Sequence, residues 1–224
     1  MLLLFAIFAS AEKRQFSAAG RERYYLLHVP RNLDPQPPLL IVLHGMGGIP
    51  DQLFEAWKPL ADKHRFLLVA PKSTEIGFGK RSYGVPVFEA LLADVFSAAT
   101  FDPARVYLFG YSNGAAHALD IGMLWSDHVA AIVSMAGSLL PSESLEARAT
   151  RKIPVLLFAA EQDTIEPPTQ VRRTFEALRD RSFPVEYVEL RGIGHNYGSV
   201  AYDVHVRAWD FLRSHRLPAP AATK

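Results

Sequence analysis

Val106-Tyr107-Leu108-Phe109-Gly110-Tyr111-Ser112-Asn113-Gly114-Ala115-Ala116 passes from a continuous apolar run into Gly-x-Ser-x-Gly and then into small residues of helical character. A serine at a sharp strand-to-helix turn has a strained backbone, and side chains two positions to either side would collide, so Gly110 and Gly114 leave room. The stretch predicts a strand over 106–109, a helix over 113–125, and Ser112 Oγ standing clear of the sheet where a nucleophile can act. A serine between glycines is also the composition of an ordinary turn, so the surrounding sequence has to decide.

Working outward, apolar runs and helical periodicities alternate. Leu39 to Leu43, Phe66 to Ala70, Ala130 to Ala136 and Ile153 to Ala159 are continuous apolar runs, the mark of strands covered on both faces. Helical spacing runs over 51–65, where Asp51 is the expected cap, and over 87–99, 171–181 and 200–213. Val185 to Leu190 reads as a further strand, and Lys13 to Ser17 with Arg23 to Val29 as an antiparallel pair. The fold class is therefore α/β, a mostly parallel sheet with helices on both faces. In such sheets ligands collect outside the carboxyl ends of the strands. Four distinctive motifs fall at those ends: Gly-x-Ser-x-Gly, His44-Gly45-Met46-Gly47-Gly48, Glu161-Gln162-Asp163 and Gly194-His195.

Composition narrows the function. At 224 residues the chain fits one domain, expected over 12–217, with 218–224 as a tail. Lys and Arg total 24 against 23 Asp and Glu, so no basic face is implied and nucleic acid is not an expected partner. There are no cysteines, which excludes a thiol nucleophile. No His-Glu-x-x-His or clustered His/Asp spacing suggests a metal. Met1 to Ala9 is apolar and ends in Ala9-Ser10-Ala11, a small-x-small pattern, so residues 1–11 are expected to be a signal peptide and the protein secreted or periplasmic. The competing reading is a buried first strand in a cytoplasmic protein. The run is too short to span a bilayer, so no stable membrane insertion is expected, and oligomeric state is not legible.

Acyl transfer needs a nucleophile, a base, an orienting carboxylate and oxyanion donors. Ser112 is the candidate nucleophile, His195 the base and Asp163 the acid, with Glu161 two residues earlier as its rival. The expected oxyanion donors are the backbone N–H groups of Met46 and Asn113, with Gly45, Gly47 and Gly48 providing backbone freedom and His44 bracing the loop. Pocket walls are expected from 73–87 and 137–145, with Phe78 and Tyr83 beside Lys80 and Arg81, and from Tyr111 next to the nucleophile. That first loop could stack on an aromatic acyl group or stay solvated.

These motifs together resemble the α/β-hydrolase superfamily and, within it, the polyhydroxybutyrate-depolymerase and feruloyl-esterase-like group, from about Arg23 to Arg213. The resemblance implies a sheet of seven or eight strands and hydrolysis of carboxylic esters, through an acyl-enzyme on Ser112, without metal or organic cofactor. The short 137–151 segment, where larger relatives insert a lid, implies an open cleft suited to small or oligomeric soluble esters such as feruloyl or hydroxyalkanoate esters. A serine peptidase, an acyltransferase or a non-catalytic binding protein on the same fold are the alternatives.

Overall fold

Leu39–Leu43 and Ala131–Met135 are buried at every position, so neither strand has a wet face and each needs helices above and below. The computed structural model describes residues 10–73, 76–79, 83–139 and 149–218. Residues 1–9, Lys80 and Arg81, the 140–148 part of the expected lidless segment and the end of the tail lie outside them.

A hairpin of β1 (Ser10–Ala18) and β2 (Arg21–Val29) opens the chain; Ser10 and Ala11, expected in the leader, pair as strand residues with Val29 and His28. There follow β3 (Leu39–Leu43), α1 (Pro50–His64), β4 (Leu67–Pro71), α2 (Val85–Ala98), β5 (Val106–Tyr111), α3 (Asn113–Leu124) and β6 (Ala131–Met135). The chain continues through β7 (Val155–Ala160), α4 (Pro168–Asp180), β8 (Val185–Leu190), a single 3₁₀ turn (Gly198–Val200) and α5 (Ala201–Arg213). The eight strands form one sheet in the order β1-β2-β4-β3-β5-β6-β7-β8. Strands β3 to β8 are mutually parallel, and β2 runs antiparallel to β1 and β4.

Alternate strand residues feed two cores. Leu39, Ile41, Val69, Leu108 and Leu157 pack with side chains of α2, α3 and α4, while Leu40, Val42, Phe109, Val133 and Phe158 pack with α1 and α5. Prolines sit at the first or second position of three helices, Pro50 in α1, Pro86 in α2 and Pro168 in α4, where the missing N–H costs nothing. Asp51 is therefore no cap: Ile49 takes that position, without a side-chain bond, and Asp51 sits in the first turn, where its charge favours the helix dipole. Among the described residues no helix is long and apolar enough to cross a membrane.

Topology singles out one place. The chain leaves β3 toward β4 on one side and later adds β5 on the other, so the strand order reverses between β3 and β5. Their neighbouring carboxyl ends carry His44-Gly45 and Ser112, and a crevice at such a switch point is where ligands bind in open α/β sheets.

Candidate active site

Ser112 connects β5 directly to α3 with φ 55° and ψ −122°, a left-handed backbone that a non-glycine residue adopts only when its surroundings enforce it. The enforcement is packing. A Cβ on Gly110 would lie 2.2 Å from the Gly114 carbonyl oxygen, and one on Gly114 would lie 2.2 Å from the Leu43 carbonyl oxygen. Hydrogen-bonding adds to it, because the Ser112 N–H donates to the Met135 carbonyl at 2.9 Å, and its own carbonyl accepts from Ala115 at 2.9 Å.

The loops after β7 and β8 bring an acid and an imidazole to this turn. Ser112 Oγ is 2.8 Å from His195 Nε2, and His195 Nδ1 is 2.7 Å from Asp163 Oδ2. A carboxylate only accepts, so Nδ1 carries the proton and Nε2 of the neutral ring accepts from the serine hydroxyl. Asp163 is itself held: its side chain is fully buried, and Oδ1 accepts the N–H groups of Ile165 and Glu166 at 2.9 and 2.8 Å. The Gln162 N–H donates to the Ile193 carbonyl at 2.8 Å, tying the acid loop to the histidine loop. Glu161 turns elsewhere, accepting the Gly192 N–H at 2.7 Å. Beside Asp163 the half-buried Glu166 carboxyl is raised above the usual range by burial.

The loop after β3 approaches from the other side. A Cβ on Gly45 would lie 3.3 Å from the Tyr111 ring and 3.4 Å from Ser112 Cβ, so the loop backbone passes close to the serine. Among the described residues, neither the Met46 nor the Asn113 N–H donates to a protein acceptor. His44, buried beneath, donates from Nδ1 to the Gly45 carbonyl at 2.8 Å and accepts the Ser73 N–H at 3.2 Å on Nε2. Burial lowers its pKa, which matches a ring used as a neutral donor and acceptor. Gly47 adopts φ 67°, and its N–H donates to the Ile76 carbonyl.

Two partners of this frame carry no sequence signature. The Asn113 side chain clamps Phe78, with Oδ1 accepting its N–H at 2.7 Å and Nδ2 donating to its carbonyl at 3.2 Å. Gly77 makes room for that clamp, since a Cβ there would lie 2.4 Å from Asn113 Oδ1. The Tyr111 hydroxyl donates to the His195 carbonyl at 3.0 Å and so steadies the histidine loop. The expected pocket wall needs one correction. Tyr83 has no exposed surface, because its ring is packed against Phe78, Phe88 and His117; Phe78 is also mostly buried and borders a cleft. Among the described residues no group of three or more His, Cys, Asp or Glu is placed to hold a metal.

A family model described as phospholipase/carboxylesterase matches residues 82–204, more than half of the chain. The chain belongs to that family. This phospholipase/carboxylesterase-family chain is 30% identical over 175 residues to the candidate esterase NocK of Nocardia uniformis subsp. tsuyamanensis, a match covering 71% of this chain and 50% of that protein. It thus spans half the length of that relative. The fold is that of the α/β hydrolases. The poly(3-hydroxybutyrate) depolymerase LpqC of Bordetella parapertussis superposes with a TM-score of 0.73 at 19% identity, covering 96% of this chain and 93% of that one. A ferulic acid esterase superposes with a TM-score of 0.70 at 15% identity, covering 92% and 98%. The likeness to the depolymerase and feruloyl-esterase group is thus one of fold, and the family model places the sequence among the phospholipases and carboxylesterases.

Proposed function

We propose that the protein hydrolyses carboxylic esters through an acyl-enzyme on Ser112. The observation that carries this is the unbroken relay from Ser112 Oγ through His195 to Asp163, with contacts of 2.8 and 2.7 Å at a turn where Ser112 is only partly buried. In this reading Oγ attacks the ester carbonyl carbon while His195 Nε2 takes the hydroxyl proton, and Asp163 stabilises the imidazolium that results. The negative charge on the former carbonyl oxygen is met by the Met46 and Asn113 N–H groups, which have no acceptor to give up among the described residues. Collapse breaks the carbon–oxygen bond to the alcohol, which leaves with the proton from Nε2. Water then repeats the sequence, losing its proton to Nε2, releasing the acid and restoring Ser112. Membership of the phospholipase/carboxylesterase family supports the same chemistry. The two clefts that Met46 borders support small or oligomeric esters that reach the serine from solvent.

The test is Ser112→Ala, assayed on p-nitrophenyl acetate and with a fluorophosphonate probe. Turnover is expected to fall at least 10⁴-fold with labelling lost, while circular dichroism is unchanged; full turnover or continued labelling would sink the proposal. Cleavage of peptide p-nitroanilides in preference to esters would instead assign a peptidase.

A further inference from the structure

A cavity of about 340 Å³ opens beside the candidate active site, between the N-terminal half of α1 and the start of α5. Its wall combines Gly45, Met46, Ile49, Leu53, Tyr111 and Tyr197 with polar side chains, among them Gln52 and Asn196. Most polar atoms of its aromatic lining are already committed, His205 Nδ1 being buried without a partner among the described residues. The Tyr111 hydroxyl donates to the His195 carbonyl at 3.0 Å, the Tyr197 hydroxyl is 2.9 Å from His205 Nε2, and both nitrogens of His44 are engaged by backbone. The rings therefore present their faces. The Tyr111 and Tyr197 centroids are 5.1 Å apart at 56°, a tilted pair in a wall that also includes Met46.

The position of this cavity gives it a direction. Met46 is 67% exposed and also borders a second cleft, formed by 76–79 and Asn113. If the Met46 N–H holds the carbonyl oxygen, the two substituents of the carbonyl carbon fall to the two sides of Met46. The alcohol oxygen has to leave with a proton from His195 Nε2, and the residues that follow His195, Asn196 to Gly198, line the first cavity and not the second. The acyl group is left with the cleft at 76–79.

We propose that this cavity is the alcohol subsite, and that it selects an aryl or arylalkyl group over a sugar, an assignment that rests on the ester-hydrolase reading. Apart from the committed rings the wall offers polar side-chain atoms on Gln52, Asn196 and His205, too few for the several hydroxyls of a sugar, most of which would lose water without a partner, a cost that an apolar ring does not incur.

Three comparisons test it: benzyl against ethyl acetate, where the alcohols differ and their acidities are similar; ethyl phenylacetate against ethyl acetate, where the acyl groups differ; and benzyl acetate against a peracetylated methyl xyloside. Wild type is expected to show a kcat/KM at least tenfold higher for benzyl than for ethyl acetate, and higher for benzyl acetate than for the xyloside. Ala56→Trp on α1 and Ala201→Trp on α5, which fill the cavity from opposite walls, are each expected to reduce the benzyl-to-ethyl ratio at least fivefold. Because the ratio is internal to each sample, lower yield of a variant does not affect it. The assignment is overturned if neither variant changes this ratio, if the phenylacetate ratio changes in its place, or if wild type prefers the xyloside. Failure of wild type to hydrolyse any of these esters or to label with a fluorophosphonate would overturn the ester-hydrolase reading itself, and this assignment with it.

Discussion

Asp163 and Glu161 are two carboxylates two residues apart, and what separates them is where each finds donors. Asp163 is buried and receives two backbone N–H groups on one oxygen and the His195 imidazole on the other; Glu161 is exposed and is spent on the Gly192 turn. Asp163→Asn should thus reverse the imidazole tautomer, because an amide nitrogen facing Nδ1 cannot accept its proton, and kcat on p-nitrophenyl acetate should fall roughly 10³–10⁴-fold. Glu161→Gln keeps an acceptor for Gly192 and should change kcat by less than about tenfold. Equal losses in the two variants would mean that the hydrogen-bond pattern does not assign the acid. The sequence favours Asp163 because it lies further into the loop and leaves Glu161 as a rival, since alternation along a strand says little once the chain has entered a loop. The same limit explains Tyr83: an aromatic residue in a glycine-rich loop looks available for a ligand, and only the packing of Phe78, Phe88 and His117 around it makes it core.

Elements add a constraint that single residues do not display. The start of α3 lies so close to β3 that glycine at position 114 is a condition of the packing, whereas glycine at 122, further along the same helix, meets only the end of the Ile132 side chain. Both Cβ positions would sit 2.2 Å from their nearest neighbour, yet the neighbours differ in kind: the Leu43 carbonyl in one case, the Ile132 Cδ1 in the other. A side-chain tip can rotate away and a sheet carbonyl cannot. Gly114→Ala is therefore expected to destabilise by at least about 2 kcal/mol and to lower esterase activity by displacing Ser112, and Gly122→Ala by clearly less, as measured by urea denaturation. A larger loss at 122 would refute this account of the elbow. The strands and helices on both sides were legible because their apolar runs and 3.6-residue spacings follow directly from two-sided burial. Helix starts were less so: α1 and α4 begin at a proline three residues ahead of the first periodic apolar residue, and α2 carries Pro86 at its second position, places where proline is favoured by what it lacks. The Asn113 clamp on Phe78 was not legible at all, because a side chain that bridges 35 residues to a backbone leaves no periodicity to read.

The whole molecule also carries a dependence on pH that is separate from catalysis. His205 is buried between Trp57 and Phe109 beneath the cavity, and burial lowers its pKa from 6.5 to about 4. His44 is lowered in the same direction for the same reason. Between about pH 6.5 and about pH 4 the unfolded chain binds a proton at position 205 that the folded chain refuses, so stability rises with pH across that window. The contribution is complete above about 6.5 and is lost as the solution is acidified toward 4. Glu166 works against it, since a carboxyl raised by burial favours the folded state on the acid side, and the lowered Asp102 acts below the window. Comparison with His205→Gln separates the histidine from both, because glutamine keeps an acceptor for the Tyr197 hydroxyl and does not titrate. Urea denaturation of wild type is expected to lose about 2 kcal/mol more than the variant between pH 7.5 and pH 4.5. Parallel curves would mean that His205 charges as readily in the folded protein as in the unfolded chain, and hence that water reaches it through the cavity floor.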